Sequence, residues 1–283
     1  MTRAPLDVAA LRRRLLAPAG PLARLDVVDE TGSTNADLRA AAGSWPAPAL
    51  LVAEHQSAGR GRAGRAWQTP PGAALAASFL LAPRVPPTAL GWVPLLTGLA
   101  VVRALARHGI TAWVKWPNDV LLADDVPLDG FGAFRKVAGI LAEVVPGAGP
   151  TGTARVVVGV GLNVDQTADE LPVPTATSLA LTGGLAGDGP ERSALLVTLV
   201  EEVTRLVADL ESAGGDARAV GISAAYATAS CTVGATVRAE LAGGSAVVVG
   251  QAVRVADDGA LVLATPAGER VVTAGDVHHL RLR

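Results

Sequence analysis

A single cysteine, Cys231, stands in the 283 residues, which excludes an intrachain disulfide and any cysteine-cluster zinc site. A lone thiol also fits a reducing compartment. Aromatic residues reach only 3%, so the core must be built from valine, leucine and alanine. Apolar runs such as "AALAASFLLA" are about half the roughly 20 residues that a membrane span needs. The N-terminal stretch carries Arg12, Arg13 and Arg14 where a signal peptide needs its apolar centre. Excess charge is missing as well. A formal net charge of −2 with 18% charged residues excludes a disordered polyelectrolyte or a nucleic-acid-coating chain. These absences describe a soluble cytoplasmic protein with no membrane partner.

What is present divides in two. Residues 6–16 read as a short helix with Leu11 and Leu15 on one face. "LARLDVVDE" reads as a strand, and "TGSTNADLRAAA" starts a helix with Ser33 or Thr34 as N-cap. "ALLVAE" is a short buried strand, and "GAALAASFLLAP" a strand or a strand pair. Between Gly91 and His108, Leu95, Leu99, Val102 and Leu105 repeat at helical spacing. Strands return at "TAWVKW", "DVLLA", "KVAGILAEVV" and "ARVVVGVGLNV". A second helix over about 191–211 turns Leu199, Val203, Leu206 and Leu210 inward, with Glu201, Arg205 and Asp209 outward at i,i+4 spacing. Past residue 232 come short alternating segments broken by Gly-Gly, Asp-Asp-Gly and Pro-Ala-Gly turns. That texture predicts a small β-barrel. The expected domains are a mixed α/β unit over 1–231 and an all-β unit over 232–283.

In "EHQSAGRGRAGRAWQ", Gly59, Gly61 and Gly64 spell G-x-G-x-x-G, with Arg60, Arg62 and Arg65 threaded between them. A dinucleotide turn needs a helix directly after the glycines. Pro70 and Pro71 forbid one here, and the acidic ribose ligand due about twenty residues later is absent. No Gly-Lys-Ser/Thr closes a P-loop. The loop instead joins backbone that a ligand can approach closely to planar, permanent cations suited to phosphate or carboxylate oxygens. Alone, it reads equally as a solvated basic loop.

It does not stand alone. "VKWPNDVLL" sets Lys115, Trp116, Pro117, Asn118 and Asp119 at the end of an apolar strand. Lys136 precedes the apolar "VAGILAEVV", in which Gly139 permits close approach, and Asn163 closes "VVVGVGLN". Polar groups bracketing apolar strands are costly to bury without partners. They mark a pocket floor, whereas Trp116 by itself reads better as a core aromatic.

In this order and at these intervals, "GSTNADL", "EHQSAGRGRAGRAW", "VKWPNDVLL", "RKVAGILAEV" and "GVGLNV" resemble the biotin protein ligases. The resemblance runs from about residue 25 into the C-terminal segment, which looks like the family's SH3-like module. The fold implied is α+β: a mixed β-sheet flanked by helices, similar to lipoate ligases and class II synthetases, plus a small SH3-like β-barrel. The substrates implied are ATP and biotin, with Mg²⁺ expected. Biotin's carboxylate attacks the α-phosphate to give biotinyl-5′-AMP and pyrophosphate. A lysine of a biotin carboxyl carrier domain then takes the acyl group. Both steps concentrate negative charge, which positioned donors can stabilise.

By that likeness Ser33, Thr34 and Asn35 line the biotin head, completed by Gln56 and the backbone of Gly59, Arg60, Gly61 and Arg62, with Gly139 alongside. Lys136 sits at the carboxylate and α-phosphate. Arg60, Arg62 and Arg65 lie on a closing loop. Trp67 resembles the family's adenine-stacking tryptophan, with Asn118 and Asn163 as polar neighbours of the nucleotide. Asp119 orients or deprotonates the incoming lysine, or alternatively helps to hold Mg²⁺. Lys136, Arg60 and Asp119 are the catalytic residues implied, and metal ligands stay unassigned.

Two departures qualify the likeness. Bifunctional members carry a DNA-binding winged helix ahead of the catalytic domain, and only about twenty-four residues precede "LDVVDE" here. No DNA partner is expected, and Arg12–Arg14 read as a solvated helix face. "ADDVPLDGFGAF" looks longer than the family's usual turn; Asp124, Asp125 and Asp129 could perturb nucleotide or metal binding, but a peripheral hairpin explains them better. Two rivals remain. A lipoate or other acyl-adenylate-forming ligase on the same fold would need a wholly apolar acyl tunnel, which "GSTN" and Gln56 do not suit. A nucleic-acid-binding module would need a basic stripe that the chain lacks.

Overall fold

The computed structural model describes residues 3–128, 132–147, 154–182, 191–241, 247–273 and 275–279. Asp129 and residues 183–190 and 280–283 lie outside the described residues. Helix α1 (Val8–Leu15) is capped by Asp7, whose side chain accepts from the Ala10 amide. Leu11 and Leu15 are buried and Arg12, Arg13 and Arg14 exposed, as an amphipathic helix requires. Strand β1 (Arg24–Thr31) leads to α2 (Thr34–Ala41), N-capped by Ser33.

Strand β2 (Ala49–Gln56) pairs parallel with β1, and β3 (Ala74–Leu81) antiparallel with β2. All eight residues of β3 are buried, which makes "GAALAASFLLAP" one strand. Helices pack against it and every position is buried, so no polar–apolar alternation develops.

Helix α3 (Trp92–Arg107) follows a short 3₁₀ turn. The continuous helical stretch Pro87–Arg107 is long enough to cross a membrane, longer than the runs read from the sequence, and its most apolar 18 residues have a mean hydropathy of 1.7. Its apolar side chains are mostly buried within the core. Strands β4 (Trp113–Lys115), β5 (Asp119–Leu128), β6 (Gly132–Val145) and β7 (Arg155–Asn163) complete a mixed sheet in the order β1-β2-β3-β7-β6-β5-β4. Strands β5 and β6 pair as far as Leu128 opposite Gly132.

Helix α4 (Arg192–Ser212) buries Leu199, Val203, Leu206 and Leu210. Arg205 pairs with Asp209 at 2.9 Å, but Glu201 reaches Arg107 of α3 at 2.8 Å rather than its own i+4 neighbour. The buried Arg192 guanidinium binds Glu54 of β2 at 2.6 Å and the Ala4 carbonyl at 2.7 Å. Helix α5 (Ile222–Ala229) carries no periodic signal, since only Ile222 and Tyr226 are buried. Tyr226 meets Trp92 edge to face, with ring centroids 6.1 Å apart.

Strands β8 (Thr236–Leu241), β9 (Val247–Val255), β10 (Leu261–Thr265), β11 (Gly268–Val272) and β12 (Gly275–His279) form an antiparallel sheet in the order β11-β10-β9-β8-β12. Val237, Ala239, Leu261, Leu263 and Val277 join the main core cluster. Trp116 is 1% exposed and donates from Nε1 to the Gly259 carbonyl at 3.1 Å. Trp92 likewise donates to the Asp257 carbonyl at 3.0 Å. The two tryptophans tie the β9–β10 turn to α3 and to the β4–β5 turn, so Trp116 is a structural residue.

Candidate active site

A cavity of about 590 Å³ lies among the N-terminus of α2, the arginine loop and the sheet. Ser33, Thr34, Asn35, Gln56, Arg60, Gly61, Arg62, Arg65, Trp67, Asn118, Asp119, Lys136, Gly139 and Asn163 all line it. Most of the polar groups stand at ends of elements. Thr34 opens α2, Gln56 closes β2, Asp119 opens β5 and Asn163 closes β7. Element ends place side chains beside the sheet, whereas Lys136 within β6 and Ser78 within β3 project from inside it.

At one end the polar groups form a connected chain. Gln56 Oε1 accepts from the Thr34 amide at 2.9 Å and stands 3.0 Å from the Thr34 hydroxyl. Thr34 Oγ1 is 2.7 Å from Ser78 Oγ, which donates to Asn35 Oδ1 at 2.7 Å. Asn35 Nδ2 reaches the Leu141 carbonyl at 3.1 Å and Glu143 Oε2 at 3.0 Å. Sequence reasoning missed both Ser78 and Glu143. The one available signal was that Ser78 is the single polar residue in the otherwise apolar β3. Gly159 is required beside it, because a Cβ there would collide with Asn35 Oδ1.

The arginine loop folds back on itself. Gly61 donates to the Arg65 carbonyl at 2.6 Å and Trp67 to the Gly59 carbonyl at 2.9 Å. Ala63 and Gly64 turn the chain with φ of 54° and 74°, a left-handed conformation that glycine adopts without penalty. Gly59 does not line the cavity. It lies so close to the Trp67 carbonyl that a Cβ would collide with it, and its observed part is closing this hairpin. Arg60 is exposed, whereas Arg62 Nη1 donates to Asn118 Oδ1 at 3.1 Å. Asn118 in turn donates to the Ile140 carbonyl at 3.1 Å, which fixes its amide.

Trp67 lies over the sheet where Gly139 and Gly161 face each other across β6 and β7. A Cβ on Gly161 would overlap the indole, and one on Gly139 would meet it at 3.1 Å. The two glycines make a flat floor that accepts a ring. The buried indole Nε1 has no hydrogen-bond partner among the described residues. Lys136 Nζ is 5.6 Å from the ring centroid, within cation–π range.

Lys136 Nζ makes a 2.6 Å ion pair with Asp119 Oδ1, although the contact is not aligned as a hydrogen bond. The backbone of Lys136 also holds a cavity wall that sequence reasoning did not anticipate. Lys136 donates to the Thr175 carbonyl and accepts from Thr177, both at 2.8 Å, which seats the 172–176 segment against β6. Asn163 is 5% exposed and committed to protein partners. It donates to the Thr177 carbonyl and accepts from Gln166, both at 2.9 Å. Lys115 is not among the lining residues.

An apolar-walled cavity with a hydroxyl–amide cluster at one end and guanidinium and ammonium groups beside a tryptophan defines a site for an acid and a polyphosphate. Residues 26–163 match the Biotin/lipoate A/B protein ligase family, and residues 232–280 the Biotin protein ligase C terminal domain. The chain is 41% identical to a biotin–[acetyl-CoA-carboxylase] ligase of Mycobacterium tuberculosis, over 99% of this chain and 97% of that protein. A ligase of the same description from Paracoccus denitrificans is 33% identical, over 87% of this chain and 97% of its own. Among solved structures, the biotin protein ligase from Aquifex aeolicus in complex with biotin and ATP superposes with a TM-score of 0.67 at 25% identity. That match covers 92% of this chain and 99% of the other. The chain belongs to the biotin protein ligase family.

Proposed function

We propose that this chain activates biotin with ATP as biotinyl-5′-AMP and passes the biotinyl group to a lysine of a biotin carboxyl carrier domain. The carrying observation is that one cavity joins the Thr34–Gln56–Ser78–Asn35 cluster to Lys136, Arg60, Arg62, Arg65 and Trp67. Hydroxyl and amide groups suit a cyclic urea, whose N–H and C=O groups need partners once buried. This favours biotin over the apolar head of lipoate.

In this reading Ser33, Thr34, Asn35 and Gln56 receive the head, with Arg60, Gly61, Arg62 and Gly139 beside it. Lys136 draws the biotin carboxylate and the α-phosphate together and stabilises the charge that builds as pyrophosphate leaves. Trp67, Arg62, Arg65 and Asn118 receive the nucleotide, with Arg60 on a loop that shields the mixed anhydride from water. Asp119 then orients the carrier lysine or takes its proton, and AMP departs as the amide forms. Asn163 contributes by holding the 177 segment rather than by a free amide.

No group of three histidine, cysteine, aspartate or glutamate side chains clusters to hold a metal among the described residues. Asp119 is the one carboxylate among the lining residues, and it is paired with Lys136. This donor set does not fit a metal cage built by the protein. We propose that Mg²⁺ enters with the phosphates, as that ion commonly does. We also propose that residues 1–231 and 232–283 form separate catalytic and C-terminal units, and that the protein works in the cytoplasm. Biotin-dependent exchange of pyrophosphate into ATP tests the central reading. Exchange driven by lipoate but not by biotin would replace it with the lipoate alternative.

A further inference from the structure

The hydrogen-bond chain below the head end has a direction, and Asn35 sets it. Its Nδ2 donates to the Leu141 carbonyl at 3.1 Å and to Glu143 Oε2 at 3.0 Å, two groups that only accept. Glu143 is itself held by Arg39 at 2.9 Å. Asn35 Oδ1 is thereby turned towards Ser78, which spends its one proton on that oxygen at 2.7 Å. Towards Thr34, also at 2.7 Å, Ser78 can then only accept. The competing acceptor, Gln56 Oε1, is more distant at 3.0 Å and already takes the Thr34 amide. The Thr34 proton therefore goes to Ser78, and Thr34 Oγ1 presents lone pairs to the cavity.

We infer that Ser78 is a positioning residue that makes Thr34 a hydrogen-bond acceptor and so selects ligand heads carrying an N–H group. The inference rests on the biotin reading and deepens it. At 1% exposure Ser78 acts through Thr34 rather than on the ligand directly. A head without N–H would bury the Thr34 oxygen unpaired, and a site built to hydrogen-bond its ligand rejects such analogues strongly. Without the Ser78 oxygen, the Thr34 hydroxyl keeps only the longer 3.0 Å contact to Gln56 Oε1, which already takes an amide proton, and the preference for an N–H donor relaxes. Gly159 belongs to the same arrangement, since only the absence of a side chain leaves room for Asn35 and Ser78.

The experiment compares wild type with Ser78→Ala and with Ser78→Cys, which keeps the shape but offers a weak donor and acceptor. Binding of biotin and of its two mono-N-methyl ureido isomers is measured by calorimetry, with KM and kcat for ATP in parallel. In wild type, one isomer should bind at least about a hundredfold more weakly than biotin. In Ser78→Ala, biotin should bind about tenfold more weakly and the penalty for that isomer should shrink about tenfold, with KM for ATP and kcat at saturating biotin unchanged. Ser78→Cys should fall between the two. If both ligands weaken by the same factor, or the penalty persists in both variants, the inference is overturned while the biotin reading stands. Absence of biotin binding by wild type would remove both.

Discussion

Lys136 Nζ stands 2.6 Å from Asp119 Oδ1, the two side chains reaching across the paired strands β6 and β5. The carboxylate holds the ammonium on the wall of the cavity. An ammonium held this way needs little rearrangement when negative charge develops beside it, which is the condition for electrostatic stabilisation. Lys136→Ala should slow adenylate formation about a hundredfold, the effect of losing about 3 kcal/mol of transition-state contact. Pyrophosphate exchange near the wild-type rate would count decisively against the assignment.

Gly161→Ala tests the glycine floor. A Cβ there overlaps the Trp67 indole, and the neighbour is a rigid ring that cannot yield by bending a flexible end. The indole should be displaced. KM for ATP should rise about tenfold or more while biotin affinity changes little, because the head cluster is untouched. Titration calorimetry with each substrate separates the two effects, and an unaltered KM for ATP would show that Trp67 has no part in holding nucleotide.

Arg60→Gly removes an exposed cation from the wall of the cavity without disturbing its floor. The expected result is faster escape of biotinyl-5′-AMP, seen as free adenylate in solution and as biotin attached to bystander lysines. A variant that retains adenylate as well as wild type would dispose of the shielding role.

Burial pushes the Cys231 thiol from its ordinary 9.0 up to about 11, against the opposing pull of Lys115. A raised folded-state pKa contributes stability that is complete below the unfolded value and is lost as pH climbs towards the folded one. Between about pH 9 and 11 the wild type should therefore lose on the order of 2 kcal/mol more stability than Cys231→Ala. Urea unfolding of both proteins at pH 8 and pH 10.5 measures the difference. Parallel pH dependence in the two would mean that the thiol is not held neutral by the fold.

Much of the architecture was legible because it is written in local periodicity. Leu11 and Leu15, the α4 leucines and the β-segments after residue 232 all take the elements their spacing announces. Polar residues bracketing apolar strands likewise announced a cavity, since Asp119, Lys136 and Asn163 had no other economical place to go. Elements without a local signal were missed. Helix α5 buries only two side chains, and the 172–176 wall is held by backbone contacts to Lys136. Ser78 drew no reading from the sequence, yet it is the centre of the hydroxyl–amide cluster. Gly59 shows the reverse: it looked like a cavity residue, but it makes room for the Trp67 carbonyl, whereas Asn163 does line the cavity while bonded to Thr177 and Gln166.

The order of residues along the chain dictates its chemical inventory: three loop guanidiniums, one ammonium beside an apolar strand, a hydroxyl–amide helix start, and the glycines. It also dictates most helices and strands, because periodicity is a property of neighbours. Which of these groups meet is set by strand register, and register depends on pairings between segments far apart in sequence. Gly139 falls opposite Gly161, and Trp67 settles on both, only because β6 and β7 align in that one register under the arginine hairpin. A slip of one residue would turn the glycines to the other face and leave the indole nowhere to lie.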